Sequence, residues 1–273
     1  WSSNYLKEIK LMEKSFFENK KSKCSLLVVN KKESFDKSLK GDFGESYVFQ
    51  GKKVTELLIP KLLVSIKLNI AVTIVSISLG VPLGFYAAKN YGSWKDPTIV
   101  LTMLFLFAMP VFFTAPFLIT IFAVKLGWIK ASGWNGFFDP QIILPALTIG
   151  IPSATIYVRH MRASTLDIIG QDYIRTAYSK GLKEYTIDTR HIIKNSILPI
   201  LTLLGFTIAG IFGGSLIVEI IYGIPGVSRL ALDAIYQRDF PVLTALVLIG
   251  STMLVLANLI IDIAYTLIDP RID

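Results

Sequence analysis

The side chains able to do chemistry are few and scattered. Cys24 is the sole cysteine, and His160 and His191 are the only histidines. The chain therefore cannot build a disulfide framework or a zinc site of several thiolates. Neither histidine has a second ligand nearby in sequence, and both read as interfacial polar residues. No G-x-x-x-x-G-K-[ST] phosphate loop, G-x-S-x-G elbow, H-E-x-x-H or C-x-x-C pair occurs. The chain reads as a non-enzyme with no cofactor and no catalytic residue of its own. Two carboxylates stand out by their surroundings. Asp262 interrupts an apolar run, and Glu219 precedes Tyr-Gly-Ile-Pro-Gly at 222–226. A charge at mid-membrane costs roughly 2.5–3.5 kcal/mol on insertion scales, so such a residue has a partner, a function, or a helix end within reach. For Asp262, local pairing near a helix end is weighed against a path role. For Glu219, a gate or substrate contact and a capped helix end stand as equal readings. The hydroxyls of Thr114, Ser153, Thr207 and Ser215 complete the candidate gate or path residues.

The elements that must position these residues follow from composition. Of 273 residues, 52% are apolar and 18% charged, with a net charge of +8 and a mean hydropathy of +0.56. Soluble domains carry about 25% charged residues. Twelve of the 28 Lys+Arg and eight of the 20 Asp+Glu fall in residues 1–56. The remainder is close to membrane composition, which excludes an ordinary soluble enzyme and a disordered tail. Its basic excess carries no aromatic-interleaved patch, so nucleic acid is not an expected partner. Five stretches lack charge altogether: 68–88, 97–124, 140–158, 195–218 and 240–261. About 20 helical residues cross a ~30 Å hydrocarbon core. Helices are the expected spanning form, because the alternation of a membrane barrel is missing. The expected fold is all-α, a polytopic bundle of five spans in contact with membrane lipids.

Prolines 82, 110, 116, 145, 152 and 199 lie inside these stretches. In water each would cost a helix interior ~3 kcal/mol, whereas neighbours in a membrane bundle re-satisfy the freed carbonyls. Small residues recur four apart at Gly80/Gly84, Ala146/Gly150, Gly150/Ala154 and Gly210/Gly214. This spacing lets helix backbones approach closely. The run Gly205, Gly210, Gly213, Gly214 is read either as bundle packing or as a subunit seam. Lys67 and Lys125 are expected to snorkel, and Trp94, Trp128 and Trp134 to sit at interfaces.

Orientation follows from Lys and Arg in short loops. The 89–96 loop, the 159–194 loop and the C-terminal tail share one side and hold ten such residues, against four on the other. The richer side is expected to be cytoplasmic, leaving residues 1–56 as an extracytoplasmic N-terminal segment ahead of a transmembrane domain at 57–273. Within that segment, 5–19 has mixed helical periodicity, 25–29 is strand-like, and 40–46 reads as a turn. The chain opens on Trp1 rather than Met. The topology then calls for a further span upstream of Trp1, six in the whole protein.

The loop at about 159–195 is too long for a connector, since helix–helix connections usually run ~2–8 residues. Helical spacing gathers Ile174, Ala177, Tyr178, Gly181, Leu182 and Tyr185 on one face, opposite Asp172, Arg175, Lys180, Lys183 and Glu184. Such a stripe must be buried, on lipid or in a partner's groove. Asp172, Glu184 and Asp188 dilute the basic charge that lipid would favour, so a protein partner is expected. Gly181 suits a left-handed cap or a turn between two short helices.

"DYIRTAYSKGLKEYTIDTRHIIKNSILP" at 172–199 resembles the EAA loop of ABC importer permeases. More narrowly, the chain resembles the first of the two permeases in the oligopeptide, dipeptide and nickel subclass. The same order holds for "GDFGESY" at 41–47, "GVPLGFYAA" at 80–88, "SGWNG" at 132–136, "VEIIYGIPGVSRL" at 218–230 and "DIAYTLIDPRI" at 262–272. The resemblance implies a coupling helix that docks in a groove of a cytoplasmic ATPase, with Asp172, Arg175, Thr176, Ala177, Tyr178, Lys180, Gly181 and Leu182 in that role. The motif's glutamate is Arg175 here and its first alanine is Thr176, so no contact is carried over to that glutamate. The resemblance also implies a second homologous permease, two ATPase subunits that bind ATP and Mg, and an extracytoplasmic binding protein, in a bacterial cell membrane. Uptake of nickel or a metallophore is the alternative within this class. A stand-alone secondary transporter or channel is the alternative outside it.

Overall fold

The computed structural model describes residues 42–136, 138–210 and 215–268; the strand-like run at 25–29, the periodic run at 5–19, part of the 205–214 glycine run and the C-terminal tail lie outside them. The order is α1 (Val54–Lys89), α2 (Lys95–Ala108) and α3 (Val111–Leu118), which continues as a π-helical turn, Ile119–Lys125. A 3-10 turn (Pro140–Ile142) leads into α4 (Ile143–Ile169), followed by α5 (Asp172–Ser179) and α6 (Glu184–Thr186). A π-helical stretch (Ile187–Ile193), α7 (Lys194–Ser196), α8 (Leu198–Gly210), α9 (Leu216–Ile221), α10 (Val227–Tyr236) and α11 (Phe240–Ile268) complete the order among the described residues. Among the described residues there is no strand, only an isolated bridge between Glu45 and Lys53.

Among the described residues three helices, at Val54–Lys89, Pro140–Ile169 and Phe240–Leu259, are long and apolar enough to cross a membrane. The stretch at 97–124 is not one straight rod. α2 and α3 meet at 97°. Met109 is extended there, with φ −72° and ψ 123°, as the residue before a proline prefers. Pro110 then takes the N-cap of α3, where it lacks only an N–H that no helix needs. α1 starts at Val54, inside the segment read as extracytoplasmic.

The core seam is between α1 and α4, the most extensively packed pair among these elements. Gly80 lies against Ala154 and Tyr157, Gly84 against Val158 and Met161, and Gly150 against Val72 and Val75. Both helices therefore ascend together and run parallel. A Cβ on Gly80 would sit 2.4 Å from Tyr157 Cβ, and one on Gly84 2.6 Å from the Val158 carbonyl. The four-residue spacing is thus a close backbone approach, as read from the sequence. Ser76 crosses the seam by donating to the Gly150 carbonyl at 3.0 Å.

Candidate functional site

Two ends of the bundle are tied by polar groups, and a mainly apolar pocket with a few hydroxyls lies between them. At one end the last turns of α4, which runs through to Ile169 where the sequence reading starts its loop at 159, meet the ends of α1 and α2. Arg162 donates from Nε and Nη2 to the two oxygens of Asp96, both at 2.6 Å. Asp96 is buried, and the Arg162 guanidinium also lies over the Tyr91 ring at 5.6 Å. Lys89 donates to Glu184 at 2.8 Å and to Asp188 at 3.0 Å. The Lys89 ammonium holds the Glu184 carboxyl below the usual carboxylate range.

The loop itself corrects the sequence reading. Its apolar stripe does not run unbroken and does not all await a partner. Ile174 and Ala177 of α5 bury within the chain, on Ile187, Ile192, Phe85, Ile168 and Ile169. Folding the loop back supplies the cover that an isolated helix lacks. Gly181 takes φ +72° and ends the turn after α5, with nothing within 4 Å of a Cβ placed there. Beyond α5's own contacts, Tyr178, Leu182, Tyr173 and Tyr185 remain exposed, Tyr185 at 78%. Asp172 and Arg175 form a loose, exposed i,i+3 pair at 3.6 Å. Thr176, exposed, donates back along the helix to the Asp172 carbonyl, and Lys180 closes the helix through its N–H to the Thr176 carbonyl.

At the opposite end Glu219 is fully buried. Its Oε1 accepts the Ser65 hydroxyl at 2.7 Å, and its Oε2 accepts the Arg229 N–H at 2.9 Å. Of the two readings open for Glu219, the geometry is that of a cap, formed on the N-terminus of α10 rather than on its own helix. A carboxylate is favoured there by the unpaired N–H groups and the helix dipole. A Cβ on Gly226 would fall 2.2 Å from Glu219 Cδ, so a side chain there would have to displace the carboxylate. Nearby, the Tyr222 hydroxyl meets Thr148 at 2.7 Å, and Gly133 N–H donates to the Tyr222 carbonyl at 2.9 Å. Asp239, also buried, accepts the Ser46 hydroxyl and the Tyr47 N–H, which fastens the 42–53 turn to the α10–α11 corner.

Between these ends, α1, α4 and α8 line a half-open pocket of about 280 Å³. Thr73, Ser76, Ser153, Tyr157 and Thr207 line it with Val72, Ile156 and Leu203. Ser153 and Thr207, singled out in the sequence, are thus brought together. The Tyr157 hydroxyl meets Thr207 at 2.7 Å. Thr73, Ser76 and Tyr157 escaped the sequence reading, although all sit on the small-residue helices. Thr114 is elsewhere, bonded to the Val111 carbonyl within α3, and Ser215 is the N-cap residue of α9. Asp262 falls on α11, with its side chain outside the described residues. Trp94 and Trp128 are exposed, while Trp134 packs on the Tyr222 cluster.

Long apolar helices packed side by side, with polar ties at both ends, are the architecture of a multi-pass membrane protein. Residues 80–273 match the family model described as binding-protein-dependent transport system inner membrane component, and the chain belongs to that family. It is 36% identical over 243 residues to the oligopeptide transport system permease protein AppB of Bacillus subtilis, covering 86% of this chain and 77% of that one. The oligopeptide transport system permease protein OppB of Haemophilus influenzae is 36% identical over 233 residues, 85% of this chain and 76% of that one. The glutathione transport system permease protein GsiC of Salmonella typhimurium is 34% identical over 234 residues, 86% of this chain and 76% of that one. In fold, the chain is similar to a subunit of the inward-facing MetNI methionine ABC transporter. The TM-score is 0.64 at 16% identity, over 79% of this chain and 97% of that one. An amino acid ABC transporter solved with histidines gives a TM-score of 0.55 at 20% identity, over 77% and 92% of the two chains.

Proposed function

We propose that this chain is the permease subunit of an ABC importer that moves oligopeptides or dipeptides into the cell. One observation carries the reading: 36% identity over 86% of the chain to a relative named for oligopeptide transport. The cavity chemistry agrees with it. Its wall is mainly apolar and its few hydroxyls are neutral, Tyr157 and Thr207 being bonded to each other, so it imposes no charge on the cargo.

In this reading the chain pairs with a second homologous permease, and a binding protein delivers cargo from outside. Two ATPase subunits bind ATP and Mg on the inner side. The loop at 159–195 docks on one of them through α5 and the turn at Gly181, with Tyr178, Leu182 and Tyr185 as the exposed apolar contacts. The 89–96 loop, the 159–194 loop and the C-terminus are cytoplasmic in a bacterial plasma membrane, and residues 1–56 are outside. The test is affinity purification from native membranes in mild detergent, with mass spectrometry of stoichiometric partners. A second permease and ATPase subunits are expected, and the ligand carried by the co-purified binding protein should be a peptide. Recovery of the chain alone under crosslinking would instead leave an independent transporter.

A further inference from the structure

The second half of the loop is fastened to the bundle at the inner end of α1. Lys89, the last residue of α1, pairs with both Glu184 and Asp188. The Asp188 side chain is only 18% exposed and that of Lys89 22%, so this pair is partly shielded from water. Glu184, at 70%, is a screened contact of less weight. Phe85 lies one turn earlier on the same face of α1, since positions i and i+4 are neighbours. Phe85 packs on the cluster of Ile174, Ala177, Ile187 and Ile192. The inner end of α1 therefore touches the loop by one apolar and one ionic contact.

The rest of α1 transmits what that end feels. It is a helix of 36 residues, about 54 Å at 1.5 Å per residue. Gly80 and Gly84 lock its inner third to α4 at backbone contact. Toward its outer end, Ser65 holds both Glu219 and the N–H of Val227, the first residue of α10. One helix thus joins the loop to the outer corner. Coupling between distant sites needs such an element, biased from both ends.

We propose that Lys89 is a positioning residue of the transport cycle, which makes α1 follow the 159–195 loop and so carries loop displacement to the Ser65–Glu219 corner. The proposal rests on the reading of that loop as the ATPase contact. Because partly exposed ion pairs contribute little to folding, the loss of this one should alter coupling and leave assembly intact.

The test uses the complete transporter, with its ATPases and binding protein, in proteoliposomes, and measures peptide imported per ATP hydrolysed. Lys89→Glu should lower that ratio roughly tenfold, within the usual range of coupling between sites, while the complex still co-purifies. Adding Glu184→Lys and Asp188→Lys should restore it by reversing the pair. An unchanged ratio in Lys89→Glu would overturn the proposal. So would loss of assembly in Lys89→Glu alongside a normal ratio in the milder Lys89→Gln, which would make the role structural. A second arm separates the two levels. Cys24 is the sole native cysteine, so Cys24→Ser with Tyr178→Cys gives one crosslinking site on the exposed loop face. No crosslink to an ATPase subunit defeats the docking reading, and the Lys89 proposal with it. A crosslink together with an unchanged ratio defeats Lys89 alone.

Discussion

The Ser65 hydroxyl donates to Glu219 at 2.7 Å while its oxygen accepts the Val227 N–H at 2.8 Å, so one serine joins α1, α9 and the start of α10. Each of these groups is buried. Removing the carboxylate leaves the Ser65 hydroxyl and the Arg229 N–H without their partner, at about 1–3 kcal/mol for each group so stranded. Glu219→Ala should therefore lower the thermal stability of the purified subunit more than Ser65→Ala does. In a double-mutant cycle the pair should show about 1 kcal/mol of coupling. Gly226→Ala should act in the same direction, because its methyl would occupy the carboxylate's position. Additive effects of Ser65→Ala and Glu219→Ala would show that the contact stabilises nothing.

The seam between α1 and α4 gives a prediction with its own control. At Gly84 an added Cβ meets the Val158 carbonyl at 2.6 Å and Met161 Cβ at 2.8 Å. Backbone cannot yield as a side-chain tip can, and overpacking of this kind costs about 1–3 kcal/mol. Gly250 on α11 has nothing within 4 Å of the same methyl. Gly84→Ala should lower the melting temperature in detergent, whereas Gly250→Ala should leave it unchanged or raise it, since alanine favours helix over glycine. Equal effects at the two sites would mean that the two helices are not in backbone contact.

The fork of Arg162 on Asp96 is the third. Arg162→Met would leave Asp96, 4% exposed, buried without its counter-charge. Breaking a buried pair from one side costs about 3–5 kcal/mol. Arg162→Lys keeps the charge but cannot make the two-pronged contact, so its loss should be intermediate. Thermal unfolding of the three proteins checks the order. A melting temperature for Arg162→Met equal to that of the parent would remove the pair from the stability of this end of the bundle.

The parts of this molecule that were legible in the sequence are those set by local composition. Three of the five charge-free stretches, 68–88, 140–158 and 240–261, fall in the long helices, and four-residue glycine spacing gives the seam of α1 on α4 because close approach needs the small residue itself. Gly181 was legible as a turn because positive φ is tolerated there at no steric cost. The 97° break was half visible: Pro110 was seen, but a proline alone does not say whether neighbours straighten a helix or let it turn. Contacts between distant residues were not visible. Lys89 meets Glu184 and Asp188 across 95 and 99 positions, and nothing local to any of them marks the pairing. Burial of Ile174 and Ala177 was misassigned to a partner for the same reason. The stripe is written in 174–185, and its cover is written partly in Ile187 and Ile192. The hydroxyls show both sides of this limit. Ser153 and Thr207 share the cavity, but Thr114 does not, since residue type alone does not say which way a helix face points.

Gly181 supplies the last prediction, and it separates backbone from side chain. Its φ is +72°, and the space around it is open. A substitution there is resisted by the backbone alone. Valine, branched at Cβ, is strongly disfavoured in this region, while asparagine enters it readily. Gly181→Val should deform the turn after α5 and tilt Tyr178 and Leu182 away from any docked surface. In the reconstituted transporter we expect peptide uptake to fall about tenfold or more, with ATP hydrolysis retained. Gly181→Asn should keep uptake near the parent value despite being the more polar change. If both variants lose uptake alike, the left-handed turn is not what matters and a surface contact at residue 181 is. If neither does, Gly181 has no part in the proposed coupling.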